Sequence, residues 1–260
     1  MTDPVRHAHL ALPGLCGRPG RRSRCAASAA VALLVAAVML VAIGCGEERP
    51  AETAAAPPAE ESFTFYDLGA HSVFTEAVRR RLRDQLGNEA IAHRSIIDLE
   101  TTAPGFLAAH LPELDALNRR LNDPPGERVD HDVVKLMYRY ARQRNVPFDH
   151  VELVFSGYSQ RPIFFHIRFK ADEADTVEAL RRRHGAPQVI DWGAGSGGQS
   201  LAWHREGEWL IVSRVPDRLG DIGHRISFYF TANIEEMLQA EEEERERKAR
   251  ERRKTGKTAF

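Results

Sequence analysis

Cysteine is nearly absent from this chain. Cys16, Cys25 and Cys45 are its only three, and residues 46–260 hold none. That stretch therefore has no disulfide framework and no cysteine-ligated zinc site. Long apolar runs are absent too, except for the uncharged 19 residues from Ala26 to Gly44. An excess of one charge is missing: 36 Lys and Arg meet 37 Asp and Glu, a net of -1. The total gives no general argument for a nucleic-acid partner. H-E-x-x-H and G-x-S-x-G are not found either, so neither the zinc-protease helix nor the nucleophile elbow is present. What remains is ordinary for a globular protein, 43% apolar and 28% charged residues. A length of 260 residues suits one or two domains.

Arg6, Arg18, Arg21, Arg22 and Arg24 precede the apolar stretch. A basic region, an apolar region and small residues before a cut form an export pattern. The basic region is long, which leaves a start downstream of Met1 open. At about 1.5 Å per residue the stretch could also span a bilayer as a helix. Ala42-Ile43-Gly44-Cys45 resembles the lipobox of bacterial lipoproteins, with Ala42 where that family usually carries Leu. The resemblance covers residues 1–45. It implies that Cys45 is diacylated and that residues 1–44 are removed as a signal peptide. Two acyl chains give stable anchoring where one gives marginal binding. Gly46 stands where an Asp would direct retention at the inner membrane, so the resemblance implies the periplasmic face of the outer membrane. The alternative keeps residues 26–44 as an uncleaved inner-membrane helix.

Residues 45–61 are rich in Ala, Pro and Glu and have almost no large apolar side chain. They read as a disordered tether. The expected domain, 62–240, falls into a helical part at about 62–126 and a sheet part at about 127–240. In the first part Phe74, Val78, Leu82 and Leu86 keep helical spacing before Gly87, and Leu114, Leu117 and Leu121 follow Pro112. Ile96, Ile97 and Leu99 suggest a short strand. In the second part residues 133–140, 151–155 and 163–170 alternate with period two, the mark of strands. Asp175 and Glu178 open a helix that Gly185 closes. Further strands are expected at 189–192, 201–203, 208–212 and 225–230. The predicted fold class is α+β, a mostly antiparallel sheet with helices packed on one face, in two layers. Residues 241–260 carry Glu241/Arg245, Glu243/Arg247, Glu244/Lys248 and Glu246/Arg250 at i,i+4 spacing. They predict an exposed charged helix.

The candidate chemistry is sparse. Gly193 to Gly198 fits G-x-G-x-x-G, but Gln199 to Trp203 reads as a strand where a nucleotide site needs a helix. Asp130-His131-Asp132 and Asp149-His150 resemble metal ligands by composition. Along a strand, however, Asp130 and Asp132 share one face and His131 points to the other. No metal and no cofactor is therefore expected. His166 lies opposite Ile163, Phe165, Ile167 and Phe169, either partly packed or part of a binding face. Trp192, Trp203 and Trp209 stand near the glycine loop and either fill a core or line a ligand surface with His166. The expectation is a lipid-anchored envelope protein with a non-catalytic binding or assembly domain. Its partners would be the membrane and an envelope protein or the cell wall, with no nucleic acid. The alternative is an envelope hydrolase using Asp132, Asp149 and His150, should they converge.

Overall fold

The computed structural model describes residues 62–140, 146–170, 174–193, 197–216 and 221–258. The chain divides into units Met1–Ala55 and Ala56–Phe260, and the described residues lie in the second. The signal segment, Cys45 and the tether lie outside the described residues, as do residues 194–196 of the glycine loop.

The elements in chain order are α1 (Glu76–Leu86), β1 (Ala90–Ser95), α2 (Phe106–His110), α3 (Pro112–Leu121), β2 (His131–Arg139), β3 (Phe148–Ser156), β4 (Pro162–Phe169), α4 (Ala174–His184), β5 (Gln188–Trp192), β6 (Gly198–Arg205), β7 (Glu208–Pro216), β8 (Ile222–Tyr229) and α5 (Thr231–Thr258). The strands form one eight-stranded sheet in the order β1-β2-β3-β4-β8-β7-β6-β5, and every neighbour pair is antiparallel. The fold is α+β, dominated by the sheet. Strands β1–β4 form one meander and β5–β8 a second. Their last strands join at the centre, where Phe165 faces Phe228 and Ile167 faces Ile226.

Helices cover both faces of the sheet, which corrects the expectation of helices on one face and of two layers. On one face α1, α4 and residues 63–70 close over Leu136, Tyr138, Leu153, Phe155, Phe165, Trp203, Leu210 and Phe228. On the other, α2, α3 and the start of α5 close over Val133, Val154, Phe164, Ile190, Ile211 and Tyr229. The physical reason lies in consecutive buried apolar positions: Val133-Val134, Val154-Phe155, Ile163-Phe164-Phe165 and Leu210-Ile211-Val212. Adjacent strand residues point to opposite faces, so such runs require two covered faces.

Two details depart from the expected boundaries. The part at 62–126 is not wholly helical, because β1 pairs with β2 there. Ile97 and Leu99 follow that strand as buried anchors over α3, with the Leu99 amide donating to Asn118 Oδ1 at 2.9 Å. Helix α5 runs without a break across residue 240, 28 residues in all. Its start is fixed by the buried Asn233 amide, which donates to Ala70 O and Pro162 O.

Candidate functional site

Where α2, α3 and α5 stop, one sheet face is polar. Strand register places Glu152 opposite His166 and His150 opposite Arg168. Ser227 lies opposite His166, and Arg225 opposite Arg168. Lys135 reaches the same strip and bonds Glu152 at 2.8 Å, while His150 Nε2 lies 3.7 Å from that carboxylate. Burial would raise the Glu152 carboxyl, but His150 and Lys135 outweigh it and hold the acid below the usual carboxylate range. Arg168 is paired with Asp149 at 2.5 Å.

His166 is pushed down to about 3, first by burial and then by the nearby Arg225 cation. It is therefore neutral at physiological pH. A conjugate acid that strong makes the ring a poor proton acceptor near neutrality. Its Nδ1 meets Ser227 Oγ at 3.1 Å. From there a chain of hydroxyls runs through Thr101 and Tyr229 to Leu99 O, with links of 3.0–3.1 Å. A second chain links Trp192 Nε1, Ser200, Ser213 and Thr102 at 2.8–3.1 Å. Arg225 donates to Thr101 O and Thr102 O, and burial lowers its affinity for the proton. Together these bonds seat residues 99–102 on the sheet. Among the described residues no group of three His, Cys, Asp or Glu could hold a metal ion. At Glu152 the Lys135 ammonium already stands where a cation would bind.

The three tryptophans do not share a surface. Trp203 is buried on the opposite face and donates to Gly185 O at 2.9 Å. Trp192 and Trp209 share His166's face but sit opposite Gly198 and His204, at the two ends of β6. Six strand residues separate those positions, roughly 20 Å. Trp192 packs on Phe106, and Trp209 stacks on His204 at 4.0 Å. Only His166 and Trp192 belong to the hydroxyl-linked strip. Lys135, Glu152, Arg225, Ser200, Ser213 and Ser227 joined it without any sequence signal except their place in alternating strands. Gly198 opens β6 directly, so the glycine loop leads into a strand.

The two Asp-His groups part company as well. His131 is buried, donating from Nε2 to Leu121 O at 2.8 Å and from Nδ1 to Glu241 at 3.0 Å. Burial pulls its proton affinity down, yet the bonds to Glu241 and Leu121 prevail and raise it. Both partners offer acceptors, an arrangement that favours the protonated ring. Tyr158 donates to Glu244 at 2.7 Å, a second tie to α5. Asp132 and Asp149 lie on the face opposite His150. Asp132 stands near Ser156, at the other end of β2 and β3 from Asp149 and His150, again roughly 20 Å away. Asp132, Asp149 and His150 thus form no common cleft.

No family model, no curated protein and no solved structure matches the chain. Its function has to be read from these residues. No helix among the described residues is long and apolar enough to cross a membrane.

Proposed function

We propose that this chain is a bacterial cell-envelope lipoprotein, held through acyl chains on Cys45 at the periplasmic face of the outer membrane. Its folded unit works as a binding or assembly module. The observation that carries the second half is the polar strip around His166. Lys135 pairs with Glu152 and Arg168 with Asp149, Arg225 is held by two backbone carbonyls, the histidine is a weak base, and the hydroxyls bond to each other. The hydroxyls are buried or half-buried and hold residues 99–102 in place, so the part open to a partner is the rim of paired charges, Lys135–Glu152 and Arg168–Asp149.

The anchoring half rests on the lipobox-like residues and on how the chain enters the fold. Ser62 Oγ and the Phe63 amide both donate to buried Glu208, at 2.8 and 2.9 Å, and Ser62 Oγ also accepts from the Ala70 amide. The chain is thereby fastened to β7, inside the sheet, where it enters the fold. Mass spectrometry of the N-terminal peptide purified from membranes tests the anchor; a free Cys45 thiol with residue 44 still attached refutes it. Photo-cross-linking from position 168, where the Arg168 side chain is 45% exposed, in intact cells tests the module. A discrete cross-linked species is expected, and none at all across growth conditions would count against binding at this face.

A further inference from the structure

The C-terminal helix changes character half-way. Residues 235–244 carry six Glu and no base, and residues 245–254 carry seven Arg and Lys against two Glu, a net charge of +5. Four of the six acids in the first half bind the body of the protein. Glu235 pairs with Arg120 at 2.5 Å, Glu236 with Arg161 at 3.3 Å, Glu241 with His131 at 3.0 Å and Glu244 with Tyr158 at 2.7 Å. The basic half makes its ion pairs within the helix: Arg245 with Glu242, Arg247 and Lys248 with the same Glu244, and Arg250 with Glu246. Four cations thus share three carboxylates, while Arg252 and Arg253 add further charge at exposed positions. The four paired cations are themselves 57–68% exposed.

We infer that residues 245–254 are a docking element for anionic lipid headgroups, a second point at which the folded unit meets the bilayer. The choice of surface rests on the envelope reading above. Three observations favour it. Seven Lys and Arg with a net charge of +5 on an exposed helix are drawn to an anionic surface. The acidic half of a second copy is a poor partner, because four of its six carboxylates already grip their own body and Glu242 and Glu243 have partners within the helix. The cations are distributed around the whole helix, not along one stripe, which suits a diffuse charged plane. After Leu238 the helix has no large apolar side chain up to its end at Thr258. It therefore adheres without inserting, and salt screens it.

The test uses the full chain carrying Cys45→Ser, so that no acyl chain contributes. Sedimentation with phosphatidylcholine vesicles sets a baseline that includes any apolar contact of residues 26–44. Adding phosphatidylglycerol should raise the partition coefficient at low salt, and high salt should abolish the increment. Each basic side chain near an anionic surface contributes roughly a fivefold factor. Arg247→Gln, Arg250→Gln, Arg252→Gln and Arg253→Gln together should cut the increment at least about tenfold, while Lys at the same four positions should keep it. An increment unchanged in the Gln variant overturns the inference. So does the absence of any increment alongside tight binding to duplex DNA, which would assign the helix to nucleic acid. A missing lipid on Cys45 leaves all of these readings intact, so the two ideas fail separately.

Discussion

His131 ties α3 to α5 through both nitrogens of one buried ring. It is 2% exposed, and its acceptors sit on α3's last residue and on α5. Asp130, Asp132 and Arg245 are the other charged groups around it. The folded state holds its proton more tightly than the unfolded chain does. Its contribution is therefore complete below the ordinary histidine range of about 6.5 and disappears as pH rises through the raised folded value. His131→Ala should cost about 2–3 kcal/mol in urea unfolding at about pH 5.5. The gap to the native chain should narrow at about pH 9, and an equal gap at both would refute a charged ring. Gly198 is constrained by space in a different way. A Cβ there would lie 2.7 Å from the Trp192 ring, so the indole would have to leave Ser200. Gly198→Ala should destabilise by about 1–3 kcal/mol, seen as a lower urea midpoint with an unchanged slope.

At the scale of elements, α5 is a helix whose first half is docked and whose second half is not. Packing of Ile234 and Met237 ends by Leu238, and after that Glu241 and Glu244 tie the helix to the body. Glu241→Ala with Glu244→Ala should let trypsin release the tail roughly tenfold faster. The sheet's thermal midpoint should move little by comparison, and a proportionate collapse of the whole fold would contradict the division. The i,i+4 charge pattern of this helix was plain in the sequence, but its two ties were not, because neither His131 nor Tyr158 stands near it in sequence. Strands β2, β3 and β4 were legible from period two. Strand β1 was not: Ala90-Ile91-Ala92-His93-Arg94-Ser95 has no alternation, and its residues are exposed or half-buried because it is an edge. The three tryptophans illustrate the same limit at the candidate site. Parity along a strand separates Trp203 from its neighbours, yet it takes the register of β6 with β5 and β7 to place Trp192 and Trp209 at opposite ends.

The whole molecule is one sheet built from two meanders, and its stability should follow that seam. Phe165 sits on the central strand of the seam, fully buried, with Phe155, Phe228 and Phe230 rings 5.2–6.2 Å away. Its core continues from β2 and β3 across β4 and β8 to β6 and β7 without a gap. All three tryptophans lie in the second meander, on β5, β6 and β7, so their fluorescence reports that half alone. Amide exchange along β2 and β3 reports the other. If the halves were separate folding units, Phe165→Ala would weaken the first and leave the tryptophans nearly unmoved. Because they share a core, the substitution should lower both signals together, by about 3–5 kcal/mol, in one cooperative transition. Two separated transitions, with fluorescence holding its native midpoint, would mean that the β4–β8 pairing is a contact between domains and not the centre of one.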